Sequence, residues 1–310
     1  MSELALAVDI GGTKTAVGLV DRSGRLIRRS QISTIADGVP QGGGDPAEAL
    51  WARIGDLIRA VVAKVPSDAD EIVVCGVGCG GPMSPGGDVV SPLNIPAWRS
   101  FPLRARIEEL SGLRTFVEND AKALALGEGA SGAARGVNHY LAMVVSTGIG
   151  GGIVLDGRLL EGRLGNAGHI GHVVVEPQGR RCACGGQGCL EAEASGTAIA
   201  EITGREAKLA SPDVVARTGT LVGRAIGSVA NLLDLHLAVI AGSVALGFGA
   251  PFFEAAQREI DQRCGLDFSR GTRVIAGGLG DEGPLIGAAQ VAWSAQDRRA
   301  DDDGDTLVLI

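Results

Sequence analysis

The sequence predicts an α/β fold built from two similar halves, because three features of the 310-residue chain agree. Apolar segments of strand length alternate with helical segments that keep one apolar face, which is typical of α/β domains. A glycine-rich hairpin near the N-terminus has a close counterpart around residues 146–152. Finally, two histidines, three cysteines and two acidic residues are concentrated in residues 169–191.

Composition excludes several classes of protein. A net charge of −8 at pH 7 disfavours a nucleic-acid binder, which needs a basic face to neutralise phosphates. No apolar run is long enough to span a membrane, and no basic-then-apolar leader opens the chain. We therefore expect a globular, cytoplasmic protein with no membrane or nucleic-acid partner. In that reducing compartment, clustered cysteines hold a metal more often than they form disulfides.

The first hairpin joins predicted strands at 4–8 and 15–20 through the turn Asp9-Ile10-Gly11-Gly12-Thr13-Lys14. Its glycines let backbone N–H groups approach phosphate oxygens, and the Asp9 carboxylate is suited to hold a metal-bound water. The glycines join two strands, so the segment is not a P-loop, which connects a strand to a helix. A simple hairpin turn is the alternative interpretation.

The second hairpin repeats this pattern. Predicted strands at 140–145 and 153–155 flank Ser146-Thr147-Gly148-Ile149-Gly150-Gly151-Gly152, and "LDGRLLEG" after it nearly copies "VDRSGRLI" after the first hairpin. Two similar phosphate hairpins facing one another across a cleft would make a duplicated fold that holds a nucleotide between two lobes. A coincidental repeat is the alternative.

Residues 76–81 match the G-x-G-x-x-G dinucleotide fingerprint and follow a predicted strand at 72–75. That fingerprint must open a helix, whereas Pro82 and Pro85 follow here, so a Rossmann helix is excluded. We expect this loop, which includes Gly81, to line a ligand cleft at the carboxyl end of its strand.

The other segments complete the α/β pattern. Asp45-Pro46 signals the start of a helix, and a strand at 115–117 leads through Asn119 and Asp120 into a helix beginning near Ala121. Asp120 therefore lies where strand ends meet ligands, although a plain helix N-cap is the alternative. The remaining predictions are a helix at 220–235, a strand at 238–241 followed by the turn Gly242-Ser243, a helix at 252–264, a strand at 273–276, a helix at 284–295 and a disordered, charged tail at 297–310.

The cluster in residues 169–191 has the donors of a metal site. His172, Cys182, Cys184 and Cys189 supply one imidazole nitrogen and three thiolates, a common set in structural zinc sites. Glycines between and beside the cysteines allow the tight turns that such a site needs. The alternative is three buried or redox-active thiols. Because four protein ligands leave no open position, zinc here would stabilise structure and would not by itself name a function.

Several motifs, taken in chain order, resemble the ROK family (repressors, open reading frames and sugar kinases). They are "DIGGTKT", "ENDAKALALGE", "STGIGGG", "AGHIGH" with "CACGGQGCLE", and "AGSV", and the resemblance spans residues 4–295. It implies a duplicated actin-like, hexokinase-type fold, with an N-terminal lobe at 1–120, to which helix 284–295 returns, and a C-terminal lobe at 121–283. It also implies transfer of the ATP γ-phosphoryl group, with Mg²⁺, to a hexose, usually at the 6-hydroxyl.

The same resemblance implies roles for individual residues. Asp120 matches the catalytic base, and a carboxylate is suited to remove the proton of a primary alcohol that attacks the γ-phosphoryl group. Residues implied to bind ATP are Asp9, Gly11, Gly12, Thr13, Lys14, Ser146, Thr147, Gly148, Gly150, Gly151, Gly242 and Ser243. Residues implied to contact the sugar are Gly81, Asn94, Asn119, Asp120, His169, His172 and Glu191.

One departure from the family pattern concerns the sugar. The family most often has glutamate where this chain has His169, and a neutral imidazole offers one donor and one acceptor instead of a carboxylate. "AGHIGH" resembles N-acetylmannosamine kinases, whereas "SPLNIPAWRSFPL" at 91–103, which contains Asn94, resembles glucokinases. The substrate therefore stays open among glucose, N-acetylmannosamine and related amino sugars such as kanosamine, a 3-amino glucose. A homodimer or homotetramer is expected.

Two other functional classes remain as alternatives. ROK repressors carry a winged-helix domain before the "DIGGT" motif, which starts at residue 9 in this chain. A sugar sensor without catalysis is disfavoured because Asp120 and both glycine motifs are present. The sequence therefore favours an ATP-dependent hexose kinase over a sugar-responsive regulator or a sensor.

Overall fold

A computed structural model describes residues 2–35, 45–65 and 70–305. The chain divides into two compact units. The first comprises Met1–Ala130, Arg163–Asn166 and Asp281–Ile310, and the second comprises Ser131–Gly162 and Ala167–Gly280. Among the described residues, no helix combines the length and the apolar character needed to cross a membrane.

The elements follow one another as strands and helices along both units. In the first part of the chain they are β1 (Ser2–Ile10), β2 (Lys14–Asp21), β3 (Leu26–Ser33), α1 (Pro46–Val62), β4 (Asp70–Cys79), α2 (Leu103–Ser111), β5 (Thr115–Asn119) and α3 (Asp120–Ser131). They continue as β6 (Tyr140–Val145), β7 (Ile149–Leu155), β8 (Arg158–Leu159), α4 (Leu190–Ala194), α5 (Gly196–Thr203), α6 (Pro212–Leu233), β9 (Leu237–Ala241), α7 (Ser243–Phe248), α8 (Ala250–Arg263), β10 (Arg273–Ala276) and α9 (Gly283–Asp305).

The two sheets have the same topology. The first has the strand order β3-β2-β1-β4-β5, and the second has the order β8-β7-β6-β9-β10. In each sheet the first three strands in sequence pair antiparallel, and the two later strands add in parallel beside the first. The duplication predicted from the two glycine hairpins is therefore confirmed at the level of the fold.

Helices cover both faces of the first sheet. Alternate residues of β1 point to opposite faces, so that Leu4, Leu6, Val8 and Ile10 pack in the core that includes α1 and α2. The small residues Ala5 and Ala7 point to the other face, where they pack against α9. Small side chains on that face let α9 lie close to the sheet.

The glycines that mimic a dinucleotide fingerprint have a packing role. Gly76 and Gly78 lie inside β4, which is longer than predicted, and not in a loop. A Cβ added to Gly76 would lie 1.9 Å from the carbonyl oxygen of Ala288 in α9. Glycine at this position is therefore explained by the close approach of α9 to the sheet.

Some helix boundaries differ from those predicted. Asp45 caps α1 as expected, because its side chain accepts a hydrogen bond from the Ala47 amide at 2.9 Å. Helix α6 begins earlier than predicted, with proline at its first position. Helix α9 continues to Asp305, so residues 297–305 are helical and the predicted disordered tail is wrong for this part. No proline or glycine interrupts the helix here before Gly304. Residues 306–310 lie outside the described part.

The units divide at a different place from the expected lobes. Helix α3 lies with the first unit up to Ala130, beyond the expected boundary at residue 120. Its place follows from close packing on α9, since a Cβ added to Gly287 would lie 2.5 Å from the Ala123 carbonyl oxygen. Four helices were not predicted from the sequence, namely α2, α4, α5 and α7.

Candidate functional site

Three parallel strands of the first sheet bring acidic and amide side chains to one edge. The register pairs Asp9 of β1 with Gly78 of β4, and Cys79 of β4 with Asn119 of β5. A Cβ added to Gly78 would lie 3.6 Å from both the Asp9 Oδ1 atom and the Asp120 Cα atom. Asp9, Asn119 and Asp120 are therefore neighbours, as expected for carboxyl ends of adjacent parallel strands.

The electrostatics of this edge are unusual. Burial raises the pKa of Asp9 to about 7, and the charge of Asp120 acts in the same direction, while Lys14 and Arg29 oppose the shift. Two neighbouring carboxyl groups repel one another when both are ionised. Such a pair offers the oxygen ligands that Mg²⁺ prefers in proteins.

The first glycine turn is held by a threonine that the sequence analysis missed. The Gly11 amide donates to the Lys14 carbonyl at 3.0 Å. The Thr34 hydroxyl donates to the Gly11 carbonyl at 2.7 Å, and the Thr34 amide donates to the Thr13 carbonyl at 2.9 Å. Thr34 follows β3 in no recognisable motif, so only the paired strands reveal that it braces the turn.

The loop that contains Asn94 packs on the same edge. A Cβ added to Gly12 would lie 2.7 Å from the Asn94 Cβ, and one added to Gly80 would lie 3.2 Å from the Asn94 Oδ1. A Cβ added to Gly81 would lie 3.7 Å from the Asn119 Nδ2. Gly81, Asn94 and Asn119, which were expected to contact a sugar, therefore lie beside the first glycine turn.

The start of α3 orients Asp120. The Ala121 amide donates to Asp120 Oδ1 at 2.8 Å and to Asn119 Oδ1 at 3.1 Å, so Asn119 shares the capping role considered for Asp120 alone. Lys122 is buried, pairs with Glu118 at 3.0 Å and donates to the Gly165 carbonyl at 2.8 Å. This ion pair flanks Asp120 and was not predicted from the sequence, because Glu118 lies in β5 and Lys122 in α3, so the helical i,i+4 rule does not apply to it.

The second glycine turn is assembled within the second unit. The Ser146 amide donates to the Gly148 carbonyl at 2.9 Å, and the Ser146 and Ser243 hydroxyls are 2.9 Å apart. Gly242 has a φ of 103°, and an added Cβ would lie 2.4 Å from the Val145 carbonyl oxygen, so only glycine fits there. The motif at 146–151 and the turn Gly242-Ser243, which the family resemblance implies for ATP binding, therefore lie together in the second unit.

A cavity of about 830 Å³ adjoins this turn. Its size lies in the range of small-molecule sites. The N-terminus of α5 forms part of the cavity wall. It is held against the second glycine turn by two hydrogen bonds. The Gly196 amide donates to the Ser146 carbonyl at 2.8 Å, and the Thr197 amide donates to the Thr147 carbonyl at 3.1 Å. Residues lining the cavity include Thr147, Thr197, Lys208, Ser243, Val244 and Phe248.

Glu191 and His169 lie near the second glycine turn. The Ile149 amide donates to the Glu191 Oε2 at 2.5 Å, and burial raises the pKa of Glu191 above its usual value. His169 is exposed, and its ring centroid is 6.2 Å from that of His172. The His169 carbonyl accepts the His172 amide at 3.0 Å, so a short turn connects the two histidines.

The four residues predicted to bind a metal form one cluster. Their ligand atoms all lie within 4.8 Å of one another, and the Cys184 and Cys189 sulfurs are 3.7 Å apart. Zinc–sulfur bonds of about 2.3 Å in tetrahedral geometry place two sulfurs roughly 3.8 Å apart. Burial lowers the pKa of His172, which favours the neutral imidazole that binds a metal, and the Gly186 amide lowers the pKa of Cys184. The cluster therefore fits a four-coordinate metal.

Comparison with known proteins places this arrangement in context. The sequence model of the ROK family matches residues 5–295. A glucokinase of Thermotoga maritima is 41% identical over 196 residues, which are 63% of this chain and 58% of that protein. An N-acetylmannosamine kinase of Yersinia pestis is 35% identical over 261 residues, which are 79% of this chain and 84% of that protein.

Solved structures of known proteins share this fold. A ROK family glucokinase from Streptomyces griseus, determined in complex with glucose and AMPPNP, superposes with a TM-score of 0.76 at 30% identity. The superposition covers 94% of this chain and 99% of that one. The sheet order, both glycine turns and the Cys/His cluster therefore occur in a chain similar to sugar kinases over most of its length.

Proposed function

This chain belongs to the ROK family, and from that premise we propose that it transfers the γ-phosphoryl group of ATP to the 6-hydroxyl of a hexose or amino-hexose. The observation that carries the proposal is the pair of glycine turns at equivalent places in two sheets of equal strand order, with Asp120 beside the first. The relatives named as kinases support this function over the regulator and sensor alternatives.

Asp120 is assigned as the general base. It would accept the proton of the sugar 6-hydroxyl as that oxygen attacks the γ-phosphorus atom. Its carboxylate is oriented by the Ala121 amide, which donates to Oδ1 at 2.8 Å. A base held this way needs little rearrangement before proton transfer, and that favours catalysis.

The substrates are assigned to residues of each unit. For ATP we propose Asp9 and the turn at 11–14 in the first unit, and residues 146–151 with Gly242 and Ser243 in the second. Mg²⁺ would neutralise phosphate charge, and the carboxylate of Asp9 is suited to hold it or its bound waters. For the sugar the proposed contacts are Gly81, Asn94, Asn119 and Asp120 in the first unit, and His169, His172 and Glu191 in the second.

We assign zinc to the Cys/His cluster. Three thiolates and one imidazole suit zinc better than Mg²⁺ or Ca²⁺, which prefer oxygen ligands. All four positions are taken by protein ligands, so zinc would fix the loop around residues 172–189 and take no part in phosphoryl transfer.

For the preferred sugar we propose an amino- or N-acetylamino-hexose, with activity at least comparable to that on glucose. His169 supports this assignment because its exposed ring replaces the more usual carboxylate and can donate to an acyl oxygen or accept from an amine. A histidine that only packs in the loop, with glucose preferred, is the competing expectation.

A coupled ADP-release assay tests both levels of the proposal. The panel contains glucose, N-acetylmannosamine, N-acetylglucosamine and 3-amino-3-deoxyglucose, and kcat/KM is compared among them. No turnover of any sugar with ATP and Mg²⁺ would overturn the kinase assignment. A preference for glucose over every amino sugar by more than about tenfold, or about 1.4 kcal/mol of transition-state discrimination, would overturn the substrate assignment alone.

The variant His169→Glu sharpens the substrate test. It restores the carboxylate usual in the family, so we expect the ratio of kcat/KM for glucose to that for amino sugars to rise. His236→Glu is the matched control, because His236 is also exposed and lies outside every proposed site. An unchanged ratio in His169→Glu would show that this position does not select the sugar.

A further inference from the structure

The metal ligands do not account for all of the anchoring of α4. Glu193 lies on this helix two residues after Glu191, and its side chain is only 2% exposed. A buried carboxylate is costly unless hydrogen bonds and an opposite charge satisfy it. Residues about 200° apart around a helix face opposite sides, so Glu193 points away from Glu191.

Both oxygens of the Glu193 carboxylate are bonded. The Arg180 amide donates to Oε1 at 2.5 Å, and the Arg217 guanidinium of α6 donates to Oε2 at 2.6 Å. Arg217 also donates to the main-chain carbonyl of Glu193 at 2.9 Å. Gly179 packs so closely that an added Cβ would lie 2.3 Å from Oε1. Glu193 therefore joins α4 to the loop before it and to α6.

A second arginine of α6 holds the other end of this loop. Arg224 lies two helical turns after Arg217 and donates to the Val175 carbonyl at 2.7 Å. Its own position is fixed by Glu259, which accepts from it at 3.1 Å. The loop that carries the cysteines is thus fastened to α6 at both ends by groups that are not metal ligands.

We infer that Glu193 is a positioning residue that fixes α4 through Arg217 and the Arg180 amide, and so sets the place of the Glu191 carboxylate. The inference rests on the proposed function, in which Glu191 contacts the sugar. Cys189 ties only the residue before α4 to the metal, whereas Glu193 ties down the face of α4 that lies opposite Glu191. Loss of Glu193 should therefore disturb Glu191 while the metal remains bound.

Glu193→Gln tests this inference, because it keeps the shape but puts an amide NH₂ group opposite one of the two donors. We expect KM for the sugar to rise about tenfold, with kcat changed less than about threefold and KM for ATP unchanged. Zinc per chain, measured by mass spectrometry, should equal that of the unsubstituted protein. Arg217→Lys keeps the positive charge but cannot make both guanidinium bonds to Glu193. Its KM for the sugar should therefore lie between those of the unsubstituted protein and of Glu193→Gln.

Glu176→Gln is the matched control. Glu176 lies in the same loop and pairs with Arg224 at 3.5 Å, but it is half exposed, so its kinetics should not change. A folded Glu193→Gln protein with sugar KM within about twofold of the unsubstituted value would overturn the inference, as would a rise in KM that accompanies loss of zinc.

Hydrogen exchange separates failure of this inference from failure of the proposed function. If the unsubstituted protein phosphorylates no sugar, the kinase assignment is lost, but the amides of residues 190–194 still report on anchoring. Faster exchange there in Glu193→Gln with zinc bound supports the positioning role. Unchanged exchange shows that α4 is held without Glu193 and overturns it.

Discussion

The two groups of proposed sugar contacts are built in different ways. In the first unit, Asp120 and Asn119 follow β5 directly, and the parallel register of β1, β4 and β5 places them beside Asp9. In the second unit, His169, His172 and Glu191 lie on a long segment between β8 and α5. This segment contains a 3-10 turn at Ile170–His172 and the short helix α4, but no sheet strand. The first group is positioned by sheet pairing, and the second by anchors added to a loop.

This difference explains where the unusual residues of the chain are found. Backbone hydrogen bonds fix a strand end, so the first unit needs only glycine turns and Thr34 to complete its edge. A loop has no such ladder, and here four metal ligands and two arginines of α6 replace it. Changes at the strand edge should therefore act locally on chemistry, whereas changes in the loop should act through displacement of α4.

The largest effect is expected for Asp120→Asn. The amide keeps an oxygen that accepts the Ala121 N–H, so the fold and sugar binding should be retained, but it cannot accept the substrate proton. We expect kcat to fall about 10²–10⁴-fold with little change in melting temperature. Steady-state kinetics and calorimetry measure both. A fall in kcat of less than about tenfold would contradict the assignment of the base and the local character of this edge.

The next largest effect concerns the pH dependence of stability. The pKa of Asp9 is raised from 3.8 to about 7 in the folded protein, so folding favours its protonated form. The associated stability is fully present below about pH 4, declines as the pH rises and is lost above about pH 7. It amounts to at most about 4 kcal/mol.

Asp9→Asn isolates this contribution, since the amide resembles the neutral acid. In protein free of ATP and Mg²⁺, the unfolding free energy from urea titrations should fall less between pH 5 and pH 7.5 in the variant than in the unsubstituted chain. Subtracting one curve from the other cancels the contributions to the unfolding free energy of all groups that titrate alike in both proteins. Parallel curves would show that Asp9 is ionised at no cost in the folded state.

The parts of the site that depend on local patterns were predictable from the sequence. Strand, glycine turn and strand occur in sequence in both halves, so the two turns and their residues followed from hydrophobic pattern and motif. The metal cluster followed from donor chemistry and spacing, and its four ligand atoms are indeed brought together. The Asp45 cap of α1 was also predictable from the sequence, because a helix cap depends on adjacent residues.

The parts that depend on distant packing were not predictable. Thr34 and the Glu193–Arg217 contact each join residues that are distant in sequence and are brought together by the folded chain. Gly76 had the spacing of a phosphate motif but is required by α9, which comes more than two hundred residues later in the sequence. A glycine pattern alone cannot distinguish a ligand turn from a helix contact.

A smaller effect is expected from Cys184→Ser, which tests the loop anchors. The serine hydroxyl is a poor ligand, so zinc should be lost and the place of Glu191 should become less fixed. We expect sugar affinity to fall about 10–100-fold and KM for ATP to change little. Cys264→Ala is the control, since Cys264 is buried outside the metal cluster. This variant protein should therefore keep its zinc. Active Cys184→Ser protein with normal sugar KM would show that the loop does not depend on the metal.

The smallest effect is expected from Gly12→Ala, which asks how rigid the strand edge is. Gly12 does not have a positive φ, so alanine introduces no backbone strain. The three atoms nearest to its methyl group would all belong to the Asn94 side chain, at 2.7–3.0 Å. Asn94 must therefore move away, and if it contacts the sugar, KM for the sugar should rise about tenfold while the protein remains folded. Gly265→Ala, where an added Cβ meets nothing within 4 Å, should have normal kinetics.

A double variant shows whether Gly12→Ala acts through Asn94. Asn94→Gly removes the atoms that the new methyl group meets, so the double variant should be no worse than Asn94→Gly alone, and the two effects should not add. Additive losses would mean that the methyl group acts on the phosphate turn itself. In that case KM for ATP would rise with KM for the sugar, and the glycine would be required by the nucleotide and not by its neighbour.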